Sequence, residues 1–261
     1  MDIGAGLTVL GASGLMEKLF GPTFEDSGGD IQKWVRRKKT NIDRICAIAI
    51  KRLGSKLDEK GVVPPRVLKG IMTEGAFCED ELAAEYFGGV LASSRSGISR
   101  DDRGATIIAL ISRLSTYQLR GHYIMYHIVK LLFDGSELVI RIGGEAKKMM
   151  IYIPERVYAA GIGIDQGEDI AILLPHIMYG LFREYLIEEN FAFARTEHIQ
   201  KNYARAQEPG ILFIPSILGT ELFLWAYGKG DCQNQTLLDP SVLLPINGDI
   251  KILPGFSKVY E

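Results

Sequence analysis

Four histidines, one run of cations and a few acidic pairs are the first residues in this chain to test for chemistry. His122 and His127 stand five apart. That is about 140° around a helix, so they do not form the i, i+4 pair with which a helix holds zinc. His176 falls on an apolar helical face and reads as a hydrogen-bonded core residue; His198 has no partner motif. Glu79-Asp80-Glu81 and Asp101-Asp102 offer the oxygen ligands that a divalent cation takes, but a helix start and a solvated loop account for them more simply. Ser93, Ser94 and Ser112 lack an adjacent base, and no GxSxG occurs. No CxxC occurs either. Cys46, Cys78 and Cys232 are widely spaced and read as reduced, small, buried side chains in a cytoplasmic protein. These residues predict a non-enzymatic protein with no metal and no cofactor.

The residues that could bind are of two kinds. Arg36-Arg37-Lys38-Lys39 are four consecutive cations after Trp34-Val35. Four consecutive residues surround a helix, so they make a solvated turn before they make a flat basic face. With Arg183 and Lys201 they form the candidate set for nucleic acid or an acidic partner. The net charge of -2 supplies no global attraction to either nucleic acid or an anionic membrane. The second kind is aromatic. Trp34, Tyr86, Phe87, Phe191, Phe193 and Tyr203 are candidate anchors of a protein interface, and Phe191-Ala192-Phe193-Ala194-Arg195 reads as an exposed contact loop.

The elements that must position these residues are mostly helical. The segment from Gly104 to Asp134 reads as two amphipathic helices meeting at Leu114-Ser115-Thr116, with a hydroxyl there as N-cap. Upstream, the spacing predicts a helix from Ile31 to Lys60. A short helix from Arg66 to Cys78 follows, with Pro65 in its first turn. A third begins near Glu79 and contains Gly88-Gly89, where another helix could approach closely. Downstream, the β-prone runs Leu138–Ile142 and Met149–Ile153 predict a hairpin. A helix over Glu168–Ile187 follows, with Ile172, Leu173, His176, Ile177, Leu181 and Tyr185 on one face, then a strand at Ile211–Ile214 and a last helix at Ser216–Ala226. The segment MDIGAGLTVLGASGLM at the start is apolar and Gly-rich. It is shorter than the roughly 20 residues that span a bilayer, and reads first as a terminal helix. Residues 3–20 as a membrane-touching segment, and a Gly loop for a ligand, are the competing readings.

The predicted fold class is mainly α (α+β), an N-terminal helical bundle followed by a winged-helix-like unit with an inserted β-hairpin. The boundaries place the helical region at 1–100, the winged-helix-like domain at 101–230 with its hairpin at about 135–155, and an extended tail at 231–261. A helix that reads DNA would face outward with Arg, Lys, Asn or Gln. Glu168–Ile187 offers only Arg183, which favours protein packing.

Four short segments and a fifth near the end resemble the abortive infection alpha (Abi-alpha) family. They are Leu19-Phe20-Gly21-Pro22 before a basic helix, Val62-Val63-Pro64-Pro65-Arg66-Val67-Leu68, Glu79 to Ala83 with Leu91 to Ser94, and Ile111 to Leu119, then Ile214 to Phe223. Together they span most of residues 15–228. The chain departs from the family at Ser115-Thr116-Tyr117-Gln118, where the family has Ser-Pro-Leu-Asp. The resemblance implies a bacterial or phage-borne protein linked to antiviral defence, and the leading expectation is that it acts through a protein partner or self-association. It transfers no catalytic residue. Nucleic-acid binding and membrane perturbation through residues 3–20 are the alternatives.

Overall fold

The computed structural model describes residues 39–78, 80–98, 100–140, 146–245 and 250–260. Trp34, Arg36, Arg37, Lys38 and the segment 3–20 lie outside the described residues. The described chain is mainly helical with one four-stranded antiparallel sheet. It divides into two compact units, one of residues up to Arg113 with Trp225–Asp231, the other of Leu114–Leu224 with Cys232–Glu261. The division thus falls between the two central helices at Leu114, not at residue 101.

The first unit holds α1 (Lys39–Leu53), α2 (Pro65–Glu74), α3 (Glu81–Ser94) and α4 (Arg103–Ile111). Ile42, Ile45, Ala49 and Leu53 of α1 are buried, as their spacing predicts. The helix stops at Leu53 rather than Lys60, because Gly54 takes φ 53° and a 3-10 turn over Gly54–Asp58 follows. The Arg95 guanidinium holds that turn by donating to the carbonyls of Lys56 at 2.8 Å, Leu57 at 3.1 Å and Glu59 at 2.6 Å. On α3, Asp80 caps the amide of Ala83 at 3.0 Å. Gly88 and Gly89 are where other backbone comes close. A methyl on Gly88 would sit 2.5 Å from the Ile48 side chain, and one on Gly89 would collide with the Ala226 carbonyl. Tyr86 and Phe87 point into this core and are no interface anchors. Cys46 and Cys78 are buried as expected, whereas Cys232, in the second unit, is exposed.

The second unit is built on α5 (Thr116–Phe133). Ser115 and Gln118 form a reciprocal capping box at its start, so the hydroxyl expected there does cap. In order follow β1 (Ile151–Pro154), α6 (Glu155–Ile162), α7 (Ile170–Arg183), β2 (Ala192–Ala194), the single-turn α8 (Thr196–Ile199) and β3 (Gly210–Phe213). After β3 come α9, whose run Ile217–Ala226 ends in the first unit, and β4 (Ser257–Lys258). The sheet order is β2-β3-β1-β4, with Ile211 of β3 opposite Ile153 along one edge and opposite Phe193 along the other.

The predicted local hairpin does not form among the described residues. Leu138–Ile140 carry no strand, and Ile151–Pro154, buried throughout, pairs with Gly210–Phe213 and with β4. Two flanking strands bury β1 on both edges, which a neighbouring hairpin strand alone could not do. The last residues are not a surface tail: Leu237 and Leu238 are buried and Ser257–Lys258 completes the sheet. The helix α6 is an addition to the predicted elements.

One buried polar node ties α5 to the end of α7 and the start of α9. The Tyr126 hydroxyl donates to the Leu186 carbonyl at 2.7 Å and accepts from the Ser216 amide at 2.9 Å. Ser216 Oγ donates to the Tyr185 carbonyl at 2.7 Å and accepts from the Gly219 amide at 2.9 Å, capping α9. A buried backbone group left unsatisfied costs about 1–3 kcal/mol. Tyr126→Phe orphans two, so a loss of roughly 2–6 kcal/mol is expected, read as a fall in urea midpoint; an unchanged midpoint would contradict the role of the node.

No helix among the described residues is long and apolar enough to cross a membrane.

Candidate protein-interaction face

The face begins with the composition of α7, Ile-Ala-Ile-Leu-Leu-Pro-His-Ile-Met-Tyr-Gly-Leu-Phe-Arg, which is apolar around most of its circumference. Such a helix has more apolar surface than one core can cover. The unit buries Leu174, Ile177, Met178 and Leu181. Ile172 and Tyr179 are left 72% and 60% exposed on the other side, and Phe182 lies at the exposed edge. The predicted inward face is therefore corrected: Ile172, His176 and Tyr185 point outward while Ile177 and Leu181 point in.

His176 is hydrogen-bonded, as expected, but it is exposed and not in the core. Its Nε2 lies 2.9 Å from Ser115 Oγ, and its carbonyl accepts from Gln118 Nε2 at 3.1 Å. Gln118 is itself buried, and Gly180 leaves it room, since a methyl at Gly180 would meet its amide. The capping box of α5 thus holds α7 in a fixed rotation, with its second apolar side turned out. Asp169 caps the start of α7 through the Ala171 amide at 2.8 Å.

The end of α7 is closed by a pair of bonds, from the Leu186 amide to the Leu181 carbonyl and from the Tyr185 amide to the Phe182 carbonyl. That pattern needs a left-handed residue, usually glycine, at the position of Tyr185. Tyr185 has φ 57° and is 73% exposed. A side chain in that conformation costs of order 1 kcal/mol or more.

Beyond this turn the chain returns to the sheet. Phe191 and Phe193 of the expected contact loop reach Tyr179 edge-on, with ring centroids 5.7 Å away in each case, and Phe182 lies 5.4 Å from Phe191. The loop is in part a strand, β2, at the rim of the sheet, and its residues are half-buried. Phe191 also lines a cavity of about 270 Å³ with Lys147, Met150, Asn190, Asn202 and Tyr260. The signal for Tyr179 and Phe182 was in the sequence, three residues apart on α7, but nothing in the sequence showed which side of α7 faced out.

The remaining candidates separate. Tyr203 belongs to a small core with Tyr152, Ile199, Ala206 and Leu212, its ring 5.2 Å from that of Tyr152; it is not an exposed anchor. Arg183 is exposed and pairs with Glu184 at 3.2 Å, and Lys201 is exposed on the turn after α8. Lys39 opens α1 in the other unit. Among the described residues no group of three or more His, Cys, Asp or Glu could hold a metal ion.

The two buried histidines do no surface chemistry. His122 Nε2–H donates to the Gly219 carbonyl at 2.9 Å, and burial pushes its imidazolium down to about 3 against that bond. His127 meets Phe223 edge-on at 5.0 Å and is likewise pushed down to about 3 by burial. Both are neutral core rings at ordinary pH.

Compared with protein-family models, with curated proteins and with solved structures, the chain finds no match.

Proposed function

We propose that this chain acts through protein–protein contact, with the outward side of α7 and the adjoining rim of the sheet as the docking surface. The observation that carries the reading is the aromatic group of Tyr179, Phe182, Phe191 and Phe193 at the surface of one unit, with Ile172 beside it. Clustered aromatics are the side chains that most often anchor interfaces. Tyr185 adds support: a strained backbone kept at the end of the same helix, where glycine would fit more easily, is better explained by the exposed ring it carries.

The order α5, β1, α6, α7, β2, β3, with a sheet ordered β2-β3-β1, supports the winged-helix-like reading, and α7 then stands where a recognition helix stands. Its outward side carries Ile172, His176, Tyr179 and Phe182, with Arg183 alone of the base-reading types, and Asp165, Glu168 and Asp169 precede or open it. Apolar rings framed by carboxylates suit a protein and repel phosphates. The resemblance to Abi-alpha proteins supports a reading in which this contact serves antiviral defence in the cytoplasm.

The test is phage plating on cells expressing the protein. Tyr179→Asp should abolish protection at unchanged protein level and unfolding midpoint. Tyr185→Gly should raise stability by about 1 kcal/mol while weakening protection. Full protection by both variants would reject the face as the working surface.

A further inference from the structure

We infer that the outward side of α7 pairs with the same side of a second copy of this chain, the two helices running antiparallel about a two-fold axis at His176. The inference rests on the docking surface just proposed and names its occupant. Asp169, Ile172, His176, Tyr179 and Arg183 follow a three-four spacing along the helix. Positions 169, 176 and 183 are each seven residues apart, about 20° short of two full turns, so they form one line with Ile172 and Tyr179 beside it.

The two ends of that line carry opposite charge, the Asp169 carboxylate, which also accepts the Ala171 amide, and the Arg183 guanidinium, which also meets Glu184 at 3.2 Å. Asp169 lies seven residues before His176 and Arg183 seven after, each about 10.5 Å along the axis. An antiparallel partner centred on His176 therefore brings Arg183 of one copy level with Asp169 of the other, and the symmetry makes the pair twice. The same geometry sets Tyr179 beside Ile172 of the partner, so each exposed apolar residue finds an apolar neighbour. A parallel arrangement would put Asp169 against Asp169 and Arg183 against Arg183. The charge order along α7 thus selects both a copy of itself and the antiparallel direction. Phe182, Phe191 and Phe193 flank the line and widen the apolar contact.

Light scattering and sedimentation of the full chain over a concentration series test the inference. The wild type should be a dimer, and Tyr179→Asp a folded monomer by circular dichroism. Asp169→Arg and Arg183→Asp should each weaken dimerisation about tenfold, since each sets like charges together at two places. The double variant Asp169→Arg/Arg183→Asp should recover most of that loss. Both it and Asp169→Arg lack the Asp169 cap, so the recovery reads the pairing and not the cap. A monomeric wild type, a dimer untouched by Tyr179→Asp, or a double variant no tighter than the singles would each overturn the antiparallel pair. If the wild type is monomeric while Tyr179→Asp still loses protection, the face serves another protein and only the second copy is rejected. If Tyr179→Asp changes neither mass nor protection, the docking surface itself falls.

Discussion

Acidification to pH 4.5 is expected to remove roughly 5 kcal/mol of folding stability through two rings alone, His122 and His127. Both are buried on α5, and burial holds both near 3 in the folded chain. The unfolded chain binds a proton at each near the ordinary value of about 6.5. A depressed folded value leaves stability intact above about pH 6.5 and removes it as the pH falls toward 3. Two protons taken up on unfolding give a slope of about 2.7 kcal/mol per pH unit between those limits. Since a domain holds only about 5–15 kcal/mol in total, this unit should approach unfolding near pH 4.5. Urea midpoints measured from pH 7.5 to 4.5 give the slope directly. His127→Phe keeps an aromatic ring against Phe223 and removes one titrating group, so it should halve the slope. An equal slope in that variant would show that the loss comes from other groups.

Gly89→Ala should be the most damaging single methyl in the first unit, costing about 3 kcal/mol or more. The added carbon would overlap the Ala226 carbonyl oxygen and lie 2.6 Å from that of Trp225. Both obstacles are backbone, which cannot rotate aside as a side chain can. Relief would have to come from moving the end of α9 off α3, and that would expose Trp225, now 2% accessible. Gly97→Ala is the control, because nothing lies within 4 Å of a carbon added there. Differential scanning calorimetry of the two variants should show a large fall for the first and almost none for the second. A Gly89→Ala variant as stable as the Gly97→Ala variant would mean that α3 and the 225–231 segment can separate at little cost.

Local chemistry accounts for what could be read in advance. Ser115 sits before an apolar period with Gln118 three residues on, and a capping box forms there whatever the rest of the chain does. Pro65 at the first turn of α2 and the paired glycines of α3 are likewise statements about backbone sterics, which hold residue by residue. The strand at Ile211 and the helices either side of it follow from short apolar runs bounded by turn residues. The candidate site is half legible: Phe191 and Phe193 follow a helix and precede a polar run, and although half-buried they do meet other aromatics.

Tertiary structure decided the rest, because the choice lay between local options of similar energy. The run Ile151–Pro154 could pair with a near neighbour or a distant one. It took Gly210–Phe213 and Ser257–Lys258, which close both its edges, and so drew the supposed tail into the sheet. Tyr203 could anchor a partner or a core, and Tyr152 with Ile199 claimed it. On α7 the sequence determined a helix apolar on two sides, and no periodicity tells which side goes in. Gln118 and Ser115 hold His176 at the surface and leave Ile172 and Tyr179 facing out, with Asp169 and Arg183 at either end. A helix has one rotation in a packed unit, and it is set by the residues it packs against, not by its own.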